Sequence, residues 1–276
     1  MSARVPFTKM SGAGNDFLVL DGGAWETVRG DGAAWVRAVC RRGVSVGADG
    51  VLVVSPDGPG RARVVFFNPD GGEAFCGNGC RCAARYAATR GVAPAGAMTL
   101  ATHAGEVPAV VDGAVVRLTL PPPEDLGEIV LEEGAATFRG RRILAGVPHV
   151  VIPVAGLDTY PLERVGPSLR RHPKLGPSGA NVNLVESDAA GRFHVRTWER
   201  GVESETLSCG TGAVAAAFAA RLCGSAESVS VVARSGFVLT VTLPGDKARP
   251  VFAGLAGDAR FVFEGRLDPE ALVGTA

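Results

Sequence analysis

The chain has 276 residues, carries 28 basic against 28 acidic side chains, and contains 38 glycines and 6 cysteines. A hydrophobic fraction of 46% with 20% charged residues excludes disorder, and zero net charge argues against nucleic acid as the main partner, because a polyanion binder carries a basic surplus. The glycines, about twice the usual share, follow no Gly-X-Y period, which excludes collagen and assigns them to turns and close backbone approaches.

The N-terminal ten residues hold Arg4 and Lys9 with no apolar stretch behind them, so no secretory signal is expected. The longest charge-free apolar runs, 143–157 and 206–220, fall short of the ~20 residues of a membrane helix. No membrane association is expected. A cytoplasmic location follows, where thiols stay reduced and six cysteines form no disulfide framework.

Taken in chain order, short runs rich in Val, Leu and Phe predict strands over 17–20, 51–54, 63–67, 107–111, 115–120, 149–154, 193–198, 229–233, 237–243 and 261–263. Helical spacing predicts only three helices, over 33–42, 80–89 and 213–222, the last two rich in alanine. Pro121, Pro122 and Pro123 form the clearest linker, since consecutive prolines favour a stiff extended segment. They divide the chain near its middle.

The two halves echo each other. Ser11 to Val19 can be set against Pro177 to Val185, which places Asn15 beside Asn181. More informative, Cys76-Gly77-Asn78-Gly79 opens one Ala-rich helix and Cys209-Gly210-Thr211-Gly212 opens the other. This duplication predicts two pseudo-symmetric domains facing a shared cleft. The N-terminus of a helix has unpaired N–H groups and partial positive charge, so it binds carboxylates and favours a thiolate. Two opposed turns of this kind suit inversion at a carbon α to a carboxylate, one thiolate removing the proton and the opposite thiol donating one.

The helix alone is too weak for this. Half ionisation of a thiol of pKa ~8.5 at pH 7 requires about 2 kcal/mol, whereas a helix terminus supplies about 0.3–1 kcal/mol. A neighbouring base should assist, and His149 and Glu199 are candidates. Glu199 fits best as a proton acceptor, because an anion nearby disfavours a resting thiolate.

Other readings stay open at this stage. Both cysteines could be buried small hydrophobes capping helices. Asn15 could be a left-handed turn residue, Asn68 before Pro69-Asp70-Gly71 a β-turn starter, and Arg200 half of a surface ion pair with Glu199. Cys76, Cys80 and Cys82 could form a thiol redox or metal-binding module, but they lack a second ligand pair, and no metal site is expected. Cys40 and Cys223 are expected in the core. Only three lysines occur, none in either cysteine turn, which argues against pyridoxal phosphate. No cofactor is expected.

The motifs Lys9 to Phe17, Gly47-Ala48-Asp49, Asn68 to Glu73, Cys76 to Arg81, Pro148-His149, Asn181-Val182-Asn183, Trp198 to Gly201 and Glu205 to Gly212 together resemble the diaminopimelate epimerase family. The resemblance implies an α/β fold of two domains, each with β-strands wrapped around a central helix. The domains expected are 1–120 with Cys76 and 121–264 with Cys209, while 265–276 returns to the first. It implies a cofactor-independent isomerase of lysine and peptidoglycan precursor biosynthesis that interconverts LL- and meso-diaminopimelate. Cys76 and Cys209 would be the acid and base, assisted by His149 and Glu199. The substrate carboxylate would sit on Gly77, Asn78, Gly210 and Thr211, and the far end on Asn15, Asn68, Asn181 and Arg200. A homodimer is compatible with the resemblance. At three positions the chain departs from the family pattern: Ser11 stands where His is frequent, Val147 where Asn precedes Pro-His, and Gly50 where Gln is frequent. The last two family residues contact substrate, so epimerisation or racemisation of another amino acid stays open.

Overall fold

The computed structural model describes residues 4–28 and 30–272. These form two compact units: the described residues of Met1–Leu118 with those of Gly257–Ala276, and Thr119–Ala256. Residues 121–123, expected as a linker, have no regular structure and closely follow the division. The expected C-terminal segment 265–276 ends in four residues, 273–276, that lie outside the described residues.

The first unit runs β1 (Val5–Gly12), β2 (Asn15–Asp21), α1 (Gly22–Glu26), α2 (Gly32–Cys40), β3 (Gly50–Pro56), β4 (Arg61–Phe67), β5 (Glu73–Ala74), α3 (Gly77–Thr89), β6 (Ala97–Thr102), β7 (Gly105–Asp112) and β8 (Val115–Leu120). Strands β2 and β3 are parallel, β3 pairs antiparallel with β4, and β4 pairs with both β5 and β6. Helix α3 lies among β1, β2, β3, β4, β6 and β7. Its buried Cys82, Ala83, Ala84 and Ala87 are small enough for strands to approach from several sides. A separate cluster around Leu18, Leu20, Trp35, Val36 and Val39 seats α2.

The second unit repeats this plan. It runs β9 (Glu124–Glu133), β10 (Ala136–Ala145), β11 (Val147–Pro153), α4 (Leu162–Arg170), β12 (Asn181–Ser187), β13 (Phe193–Glu199), β14 (Ser204–Thr206), α5 (Gly210–Leu222), β15 (Ser228–Val232), β16 (Val238–Thr242) and β17 (Ala253–Asp258). Strands β11 and β12 are parallel, β12 pairs antiparallel with β13, and β13 pairs with β14 and β15. Helix α5 lies among β10, β11, β12, β13, β15 and β16. It is buried from Ala213 to Phe218 without a wet face, as a helix enclosed by strands must be. Strand β18 (Arg260–Leu267) then pairs antiparallel with β1 in the first unit.

The expected fold of strands around a central helix is thus present in each unit. Every expected strand overlaps an observed one, and both Ala-rich helices start three residues earlier than their alanine patterns suggest, directly after a cysteine. Helix α4 was not expected, because Gly166 and Pro167 lower its propensity. Gly166 has a packing reason: a Cβ there would lie 2.7 Å from Trp198 Cδ2. Strand β1 was obscured by Lys9, which is buried and paired with Asp16 at 2.6 Å. Cys40 is in the core, but Cys223 is exposed at the C-cap of α5 rather than buried.

One echo needs correction. Asn15 opens β2, the parallel partner of β3, whereas Asn181 opens β12, the counterpart of β3. By topology Asn181 corresponds to Gly50, and Asn15 to Val147. The echo of the cysteine turns is structural, and that of the asparagines is not.

Candidate active site

Cys76 and Cys209 are the N-caps of α3 and α5. Their backbones are extended and alike, at φ −139°, ψ 112° and φ −120°, ψ 111°. Each Sγ accepts from the N–H of the glycine three residues on, Gly79 or Gly212, at 3.4 Å. A cysteine in the place usually held by Ser, Thr or Asp sets a sulfur on the positive end of the helix. Short strands β5 and β14 lead into these turns, and no disulfide joins any of the six cysteines.

In the first unit the turn carries a directional chain of hydrogen bonds. Arg81, fully buried, donates to Asn78 Oδ1 at 2.9 Å; Asn78 Nδ2 donates to Asn15 Oδ1 at 2.6 Å; Asn15 Nδ2 donates to Asp49 Oδ2 at 2.9 Å. A donor-only guanidinium at one end and an acceptor-only carboxylate at the other fix both amides in one orientation. Asp49 is held in turn by Arg42 at 2.7 Å. Arg42 also pairs with Asp16, which keeps the Asp16 carboxyl below its usual pKa against the opposing effect of burial. The left-handed residues of the β1–β2 turn are Ala13 and Gly14, so backbone geometry does not account for Asn15. Asn68 directly follows β4 and does start a turn, its carbonyl accepting from Gly71 N at 2.9 Å.

In the second unit Cys209 is flanked by Thr211 Oγ1 at 3.6 Å and by the Glu199 carboxylate. Burial first, and then Glu199, push its thiol well above the ordinary range, outweighing the hydrogen bonds from Thr211 and Gly212. Cys209 rests as a thiol. Glu199 ends β13 and accepts from Thr206 Oγ1 at 2.6 Å. The next residue, Arg200, is anchored by its backbone N–H, which donates to Asn181 Oδ1 at 2.7 Å. His149 faces Asn181 across the parallel β11–β12 pair and is buried; desolvation, with Arg200 adding to it, pushes its pKa down to about 3. Its Nδ1 lies 3.1 Å from Asn183 Nδ2. A Cβ on Gly146, in the turn before β11, would lie 3.9 Å from Thr211 Cγ2 in the first turn of α5.

The structure therefore gathers Asn15 and Asn78 beside Cys76 in one unit, and His149, Asn181, Glu199, Arg200 and Thr211 around the Cys209 turn in the other. The sequence-based reading did not single out Arg81, Asp49, Asn183, Thr197 or Thr206 as site residues. For Asn183 a signal existed: two asparagines two residues apart in an apolar run share one strand face, an unfavourable choice that calls for a reason. The Cys76, Cys80 and Cys82 module fares poorly. Cys80 and Cys82 are buried in α3 with their thiols raised, Cys82 to about 12. Among the described residues no group of three or more His, Cys, Asp or Glu is placed to hold a metal ion.

The family model for diaminopimelate epimerase matches residues 7–116 and 142–262, which include both cysteine turns. The chain belongs to the diaminopimelate epimerase family. The diaminopimelate epimerase of Aquifex aeolicus (strain VF5) is 40% identical, with 96% of this chain and 99% of that protein covered. That of Hydrogenobaculum sp. (strain Y04AAS1) is 39% identical over 95% and 98%. Among solved structures, a probable proline racemase from Agrobacterium radiobacter K84 superposes with TM-score 0.72 at 20% identity, covering 97% of this chain and 95% of that one. A hydroxyproline epimerase from Agrobacterium vitis gives 0.71 at 20% over 98% and 95%. These two share the fold. As a member of the diaminopimelate epimerase family the chain is an isomerase, and among its described residues no helix is long and apolar enough to cross a membrane.

Proposed function

We propose that this chain epimerises diaminopimelate between its LL and meso forms, with Cys76 and Cys209 as the two acid/base groups. The observation that carries this reading is the matched pair of helix-capping cysteines, one in each compact unit of a chain from this family. Each unit then corresponds to one domain of the enzyme. The thiolate of one cysteine takes the α-proton to form S–H, and the C–H electron pair remains on carbon beside the carboxylate. The thiol of the other cysteine gives its proton to the opposite face and is left as thiolate. Inversion is complete, and the two sulfurs have exchanged protonation states.

The N–H groups of Gly77, Asn78, Gly210 and Thr211 suit the substrate carboxylate, because they stand at the positive end of a helix. Asn15, Asn68, Asn181 and Arg200 suit the distal amino-acid end. Glu199 takes the Cys209 proton when that residue must act as base. No cofactor enters this scheme. The same reading is compatible with a reducing cytoplasm, where its thiols persist, and with a homodimer.

Incubation of LL-diaminopimelate with the enzyme in deuterated water tests the proposal. Deuterium is expected at the α-carbon together with meso product, and Cys76→Ala or Cys209→Ala should each abolish inversion. Full turnover by either variant would sink the two-thiol mechanism.

A further inference from the structure

The two units solve one packing problem in two ways. Strands β3 and β12 each have seven residues with the same order of burial, a parallel partner before them and an antiparallel partner after. Setting Gly50 on Asn181 places Leu52 on Asn183. Leu52 faces Phe66 across its sheet, and Asn183 faces Thr197; Phe17 faces Gly50, and His149 faces Asn181. The central helices confirm the match. A Cβ on Gly79 would lie 3.2 Å from Leu52 Cδ2, and a Cβ on Gly212 would lie 2.5 Å from Asn183 Oδ1.

In the first unit these positions are apolar, and the Phe17 and Phe66 rings meet edge to face at 5.9 Å. In the second they hold His149, Asn183 and Thr197, all buried. The fold therefore does not require polar groups there. A buried polar chain that is only partly satisfied is less favourable than an apolar one of similar shape, so its presence here points to a task.

The chain has a direction. Asn183 Nδ2 lies 3.2 Å from the Val150 carbonyl and 3.5 Å from that of Asn181, and both can only accept. The NH2 end of the amide must face them, while Oδ1 accepts from Thr197 Oγ1 at 3.0 Å. The same NH2 group points at His149 Nδ1, so Nδ1 accepts and the ring proton sits on Nε2. That Nε2 is buried and has no hydrogen-bond partner among the described residues.

We propose that Asn183, backed by Thr197, is a positioning residue that locks His149 as the Nε2–H tautomer, making His149 a hydrogen-bond donor in the reaction rather than a proton acceptor. Burial keeps the ring neutral, in accord with this role. The kinetic part rests on the epimerase reading; the tautomer does not.

Nitrogen-15 NMR of ring-labelled histidine in the substrate-free protein decides the tautomer, with His149 identified among the four histidines by its loss in His149→Phe. The wild type should show Nε2–H. Asn183→Asp should move the proton to Nδ1, and Asn183→Leu, which copies Leu52, should leave a mixture in a folded protein. Asn183→Leu should lower kcat by about 100-fold with KM within about threefold. Thr197→Val should share part of that loss, and Thr197→Ser should restore it. An Nδ1–H wild type overturns the proposal, as does Asn183→Leu with both the Nε2–H signature and kcat intact. Absence of α-proton exchange by the wild type would instead defeat the epimerase reading while the spectrum still reports the tautomer.

Discussion

A Cβ on Gly50 would lie 2.3 Å from Cε2 of the Phe66 ring, and 2.6 Å from the Phe67 carbonyl oxygen. The position where the family pattern often has Gln is thus closed to any side chain while Phe66 keeps its place. In the second unit Thr197 replaces the ring, and Asn181 has room at the matching position. Gly50→Ala should therefore destabilise the protein by about 1–3 kcal/mol through overpacking. Urea unfolding measures this directly. A variant as stable as the wild type would mean that the Phe66 ring and the Phe67 carbonyl both give way at little cost.

Glu199 affects Cys209 in two opposed ways. Its charge helps raise the thiol pKa, so Glu199→Gln should increase the thiolate fraction and speed alkylation of Cys209 by iodoacetamide at pH 8. As the proposed proton acceptor it assists turnover, so the same substitution should lower kcat by about 100-fold or more. Labelling is best followed by mass spectrometry in a Cys223→Ala background, because Cys223 is exposed. Slower alkylation in Glu199→Gln would contradict the electrostatic coupling.

The residues proposed to carry chemistry are more legible in the sequence than those that hold them. The cysteine turns show because their glycines and sulfur recur at the same spacing before alanine-rich helices. Arg81 gave no such sign, since an arginine in a helix is usually solvated and only the three-dimensional approach of Asp258 and Asn78 explains its burial. The asparagine echo misled for the opposite reason. Short polar turn motifs recur by chance, and only strand pairing shows that Asn15 and Asn181 occupy different places in their units.

His149 makes stability depend on pH. Its folded pKa is about 3, far below the ~6.5 of the unfolded chain, so between these values the unfolded state binds a proton that the folded state does not. Its contribution is complete above pH ~6.5 and is lost progressively as pH falls toward 3. His149→Phe, which copies Phe17, should flatten this acid dependence in denaturant midpoints measured between pH 7 and 4. An unchanged slope would show that other groups control acid unfolding.

Arg81 anchors the amide chain that reaches Asn15. Its guanidinium is fully buried, donates to Asn78 Oδ1 at 2.9 Å and reaches the Asp258 carbonyl at 3.4 Å. Desolvation shifts its pKa downward, so burial is costly and the hydrogen bonds must offset it. Arg81→Leu should release Asn78 to turn its amide, and with it Asn15, at the proposed substrate contacts. The expected outcome is a rise in KM of about tenfold with a smaller change in kcat, since these asparagines are proposed to hold substrate rather than to move the proton. Asp49→Asn, at the other end of the chain, should act in the same direction by making either orientation of Asn15 acceptable. Steady-state kinetics on both variants tests the relay. If Arg81→Leu folds and leaves KM unchanged, Arg81 serves packing alone.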